Sequence, residues 1–107
     1  MLKSGCMART LTASEALSYY FKRRPAFVKN ICYHVFFAKS NQGMDRKFHA
    51  RYALDAMADP IRINAFLLQH ADALALDTTT RAALENDAAE MHAYKERMLY
   101  CLANPWA

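Results

Sequence analysis

The segment PAFVKNICYHVFFAKSNQG, residues 25–43, decides the fold class. Phe27, Val28, Ile31, Cys32, Val35 and Phe36 recur at three- and four-residue steps, the spacing of one face of an α-helix. Asn41-Gln42-Gly43 closes the segment, with Gly43 suited to a left-handed cap. The same segment carries a second apolar set. Tyr33 and Phe37 lie one turn apart, on the side of the helix opposite Val28 and Val35. A helix that is apolar all round is either buried all round or shares one face with a partner. The sequence leaves both readings open.

Working outward, helical patterns flank this segment on both sides. Thr12-Ala13-Ser14-Glu15 reads as a capping box, in which Thr12 accepts from the Glu15 N–H and the Glu15 side chain reaches back. A first helix is expected from there to Arg24, with Ala13, Ala16, Leu17, Tyr20 and Phe21 on one face; it should stop before Pro25, which starts the second. A third begins at about Asp45, buries Ala50, Ala53, Leu54 and Met57, and breaks at Asp59-Pro60. Pro60 then opens a fourth, lined by Ile63, Phe66, Leu67, His70, Ala71 and Leu74. Asp77 caps a fifth from Thr78 to Leu102, buried along Leu84, Ala88, Met91, Tyr94, Met98 and Leu102. Asn104-Pro105 ends it, leaving Trp106 to fold back over the core. The expected architecture is all-α: a compact bundle of about five helices in one domain, residues 12–107, with helices two and three as an inner hairpin. Residues 1–11 are expected to be a flexible extension, with Met7-Ala8-Arg9 an alternative translation start.

Composition supports helices over strands. The chain has 20 alanines but two valines and three isoleucines. Alanine is the strongest helix former, and β-branched residues favour strands. Gly5 and Gly43 are the only glycines, too few for the turns of a sheet protein. Apolar residues make up 54% and charged residues 22% of the 107, a balance that excludes a disordered chain. Cys6, Cys32 and Cys101 are odd in number and show no CxxC spacing, which points to a reducing, cytoplasmic setting. No apolar run reaches 18 residues, so no membrane span is expected.

Chemistry-bearing motifs are scarce. His34, His49, His70 and His92 stand alone in the sequence, with no HxxxH or zinc-type Cys/His spacing, so no metal is expected. Two glycines exclude a glycine-rich phosphate loop, and no nucleophile signature occurs. Glu85, Asp87 and Glu90 on the fifth helix read as solvated acids. An enzyme, a cofactor and a small-molecule substrate are therefore not expected.

Two surface features remain. Phe48 and Tyr52 repeat on the third helix the offset aromatic pair that Tyr33 and Phe37 make on the second. Thirteen aromatics and six methionines are many for one small core to hide. The second feature is charge. Residues 1–51 hold ten Lys/Arg against two acids, a net +8; residues 52–107 hold four against eight, a net −4. The leading expectation is a small non-catalytic regulatory, adaptor or inhibitor protein. It would dock a protein partner or a second copy through Tyr33, Phe37, Phe48 and Tyr52, steered by Arg24, Arg46, Lys47 and Arg51. The alternative is nucleic-acid binding, with Lys22, Arg23, Arg24, Lys29, Lys39, Arg46 and Lys47 on phosphates and interleaved rings stacking on bases. A purely solvated basic face would also produce this pattern.

Overall fold

The structure, a computed structural model, describes residues 12–107; the expected extension and alternative start lie outside the described residues. The described chain is all-helical. Three long helices run α1 Ala13–Ser40, α2 Met44–Gln69 and α3 Thr78–Ala103, where five were expected. The difference comes from the two prolines. Pro25 lies inside α1 and Pro60 inside α2. A helix-interior proline loses one i→i−4 hydrogen bond and crowds the preceding turn. Here the buried stripe runs through each proline without a change of phase. Ala50, Ala53, Met57, Pro60, Asn64 and Leu67 are all buried and step by three and four residues, so a break at Asp59 would throw half of that stripe out of the core. Tertiary packing outweighs the local preference.

The ends follow the sequence closely. Thr12 and Glu15 form the reciprocal capping box, with N···O distances of 3.0 and 3.1 Å. The Asp77 carboxylate caps α3 by accepting from the Thr80 N–H at 2.7 Å. Gly43 turns the chain between α1 and α2 with φ +69° and ψ −138°, at the start of α2 and outside the left-handed helical cap expected of it. Trp106 folds back, but onto this turn: its ring covers Gly43, which donates its N–H to the Pro105 carbonyl at 2.8 Å, and the indole stays exposed.

The helices alternate in direction, so α1 and α3 run parallel and α2 lies antiparallel to both. Ile31, Val35 and Ala38 of α1, Ala50, Ala53 and Met57 of α2, and Met91, Met98 and Cys101 of α3 form a core at the turn end. Fully buried Ala38, Ala50 and Ala53 let α1 and α2 approach closely there. Ala16, Tyr20, Leu67 and Leu84 form a second core at the other end. A polar network joins all three helices. Tyr20 Oη donates to Asp87 at 2.8 Å, and Asn64 Nδ2 donates to Tyr20 Oη and to the Leu84 carbonyl at 3.1 and 2.9 Å. Asp87 is therefore a buried structural acid, against the expectation of a solvated one. The buried register of α1 also differs from expectation: Cys32 and Phe36 are exposed, since Ile31, Val35 and Ala38 face inward.

Candidate functional site

The α1–α2 hairpin is covered by α3 on one side only. Its other side carries the aromatic residues picked from sequence, and the fold brings them together. Tyr33 and Phe37 stand with ring centroids 4.8 Å apart on α1, and Phe48 and Tyr52 4.5 Å apart on α2. Two histidines join the pairs across the seam. His34 stacks on Tyr52 at 5.4 Å and an interplanar angle of 21°, and His49 stacks on Phe37 at 5.3 Å and 30°. Edge contacts of Tyr33 with His34 and of Phe48 with His49 close the series. The result is a circuit of six rings, Tyr33–Phe37–His49–Phe48–Tyr52–His34, three from each helix, that crosses the seam at Phe37–His49 and at Tyr52–His34. His34 and His49 also meet across its middle, with Nδ1 atoms 3.0 Å apart.

This cluster is open to solvent. Tyr33 and Phe48 are each 54% exposed and Tyr52 47%, while Phe37 is half-buried beneath its neighbours. Phe36, at 62%, packs edge-on against Phe37 and extends the patch. Met44, Leu99, Tyr100 and Trp106 are exposed at the same end of the bundle. Among the described residues Tyr19 is the one large exposed hydrophobic residue at the other end. The apolar surface is thus concentrated, where scattered single residues would need no explanation.

The basic residues divide. Arg24 faces inward, forming a bidentate pair with Asp87 at 2.6 and 2.7 Å. Arg46 is also committed: its guanidinium donates to the carbonyls of Ala38, Asn41, Asn104 and Ala107, tying the α1–α2 turn to the end of α3. Neither is available for steering. Arg51 is exposed beside Phe48, and Lys47 is half-buried one turn before it. Lys22, Arg23, Lys29 and Lys39 are exposed along α1. Arg23 shares with Asp55 and Asp59 a cleft of about 500 Å³ beside the aromatic cluster, between the same two helices. Those acids make the middle of the hairpin face mixed in charge.

His34 and His49 were missed in the sequence because their contact depends on hairpin register. Counting outward from the Asn41-Gln42-Gly43 turn places them opposite each other, a signal visible only once α1 and α2 are taken as an antiparallel pair. The His34 imidazole is held below its usual range, first by burial and then by the neighbouring His49 charge. Among the described residues no group of three or more His, Cys, Asp or Glu converges as a metal cluster, and no helix is long and apolar enough to cross a membrane. Comparison with family models, with curated proteins and with solved structures gives no match.

Proposed function

We propose that the chain is a small non-catalytic regulatory or adaptor protein of the reducing cytoplasm. It acts by docking the aromatic side of the α1–α2 hairpin onto another protein surface, a second copy of itself being the partner we favour. One observation carries the reading: Tyr33, Phe48 and Tyr52 are about half exposed yet packed into one continuous cluster. Rings already fixed by neighbours lose little side-chain freedom on binding, which favours them as anchors. Arg51 and Lys47 flank the cluster and Asp55 and Asp59 line the cleft beside it, so the face carries both charges and a second copy brings acids as well as bases to it. Free thiols at Cys32 and Cys101 suit a reducing compartment.

The test is solution mass by light scattering over a concentration series, for the parent chain and for Tyr33→Ala with Phe48→Ala. The expected result is a dimer in the parent, a monomer in the double variant, and, at concentrations low enough that both are monomeric, melting temperatures within a few degrees of each other. A parent that stays monomeric at high concentration removes the second copy as partner. A sharp loss of melting temperature in the variant would make these rings part of the core and remove the docking surface altogether. The same series run with single-stranded nucleic acid addresses the basic face. Tight binding that collapses with salt would replace the protein-docking reading with a nucleic-acid one using Lys22, Arg23, Lys29 and Lys39.

A further inference from the structure

We propose that His34 and His49 form a two-imidazole binding site for a divalent transition-metal ion of the zinc, nickel or copper class, at the centre of the aromatic circuit. The reasoning starts from the distance between the two Nδ1 atoms, 3.0 Å. Zinc–imidazole bonds are about 2.0–2.1 Å, and two of them at a tetrahedral angle put the nitrogens roughly 3.3 Å apart. The pair is within a few tenths of an ångström of that bite. To point both lone pairs at one ion the rings must turn modestly about χ2, a torsion that is soft for histidine.

The surroundings hold the rings near this geometry from opposite helices. Tyr52 stacks on His34 and Phe37 stacks on His49. Both imidazoles are half-buried, so an ion reaches them while the apolar rings limit competing water. Imidazole nitrogen suits zinc, copper and nickel, whereas magnesium and calcium demand oxygen ligands. With no third His, Cys, Asp or Glu converging among the described residues, water fills the remaining positions.

Proton balance is simple. Above the histidine titration range the two neutral rings share one Nδ1–H, which one donates and the other accepts. When the ion enters, that proton leaves Nδ1 and the same ring takes one up at Nε2 from water. Both rings then present a bare Nδ1, with no net proton released and no redox step. In acid the protons compete with the ion, so uptake falls as pH drops through the histidine range.

The proposal is independent of docking and is tested on the full chain with zinc chloride and nickel chloride at pH 7.5. Calorimetric titration should show an equivalent of metal lost in His34→Ala and lost again in His49→Ala, yet kept in His70→Ala, His92→Ala and Cys32→Ser. Saturating zinc should raise the parent's melting temperature by about 5 °C, because the ion binds the folded chain only. Nitrogen-15 spectra of the parent's imidazoles should show both Nδ1 signals shifting together and both rings becoming Nε2–H tautomers; this readout stands even if a variant fails to fold. Magnesium chloride should do none of this. Metal uptake unchanged in both single variants, or unmoved His34 and His49 signals at tenfold excess of zinc, overturns the proposal.

Discussion

Arg24 and Asp87, 63 residues apart in the chain, meet through two short parallel hydrogen bonds, Nε to Oδ2 at 2.7 Å and Nη2 to Oδ1 at 2.6 Å. The carboxylate lies almost wholly inside, with 6% of the Asp87 side chain exposed, while the Arg24 side chain keeps 39% of its surface in water. Tyr20 donates to the same Oδ2, and Asn64 donates to Tyr20, so this α3 acid holds α1 directly and α2 through one intermediate. A buried ion pair adds little net stability over an apolar one, but removing one member strands the other. The pair therefore fixes how the helices align more than how strongly they adhere.

Removing the acid alone should cost more than removing the acid and its arginine together. Asp87→Ala strands the Arg24 guanidinium and the Tyr20 hydroxyl and should destabilise by about 2–4 kcal/mol; partial exposure of Arg24 keeps this below the cost of a fully enclosed pair. Replacing Arg24 and Asp87 together by Met and Leu should cost clearly less than either single loss. Urea denaturation of the parent, Arg24→Met, Asp87→Leu and the double variant gives the coupling directly. Additive single effects would mean the two side chains do not interact in solution.

Acid should destabilise the fold in two separate windows. Burial pushes the Asp87 carboxyl up, but the Arg24 and Tyr20 hydrogen bonds and the Arg24 charge outweigh it and leave it below the usual carboxylate range. A depressed acid contributes stability that is present above its unfolded value of about 3.9 and lost as pH falls through its folded one. His34 is likewise depressed, by burial first and by His49 second. The unfolded chain protonates it near pH 6.5 and the folded chain at lower pH, so stability should fall between those values as acid is added. Melting curves from pH 8 to pH 2.5 should show a shallow step that begins below about pH 6.5 and a steeper one below about pH 4. Replacing His34 by Gln should flatten the first step only.

Gly43 should not tolerate a side chain. Its φ of +69° with ψ of −138° is a conformation that only glycine adopts without strain, costing another residue about 1–3 kcal/mol. A Cβ there would also stand 2.6 Å from the Trp106 ring. Gly43→Ala should lower the melting temperature and shift the emission of the chain's single tryptophan. Adding Trp106→Ala removes the clash but not the strain, so it should recover part of the loss. An unchanged tryptophan spectrum in Gly43→Ala would show that the indole does not cover this turn.

What the sequence disclosed, and what it hid, follow from one distinction. Features fixed within a few residues were legible: the Thr12 capping box, the Asn41–Gly43 turn, the Asp77 cap and the full length of α3. The two aromatic pairs were legible too, because i, i+4 spacing depends on one helix alone. Features that depend on a distant partner were hidden. Asp87 follows Leu84 by three residues and precedes Met91 by four, so its place on the buried stripe was readable, but its partner on α1 was not. Arg24 and Arg46 looked like free surface charge for the same reason. The His34–His49 contact needed the hairpin register.

The prolines mislead most, and they support the last prediction. Asp59-Pro60 has the form of a cap followed by a first-turn residue, and Arg24-Pro25 has the form of a helix end. Both sit in mid-helix because the core stripe continues through them, so each interrupts a hydrogen bond that the helix would otherwise make. Pro25 is exposed and packs against little, whereas Pro60 is buried and its ring fills core space. Pro25→Ala should therefore restore the lost bond at little packing cost. A helix-interior proline costs about 3 kcal/mol, and its stiffening of the unfolded chain offsets up to roughly 1, leaving a gain of about 2 kcal/mol. Pro60→Ala gives up buried contacts as well and should gain much less, or lose. Melting temperatures of the two variants should thus separate, Pro25→Ala above the parent by several degrees and Pro60→Ala near or below it. If Pro25→Ala melts below the parent, α1 is not continuous through residue 25 in solution, and the five-helix arrangement regains its footing.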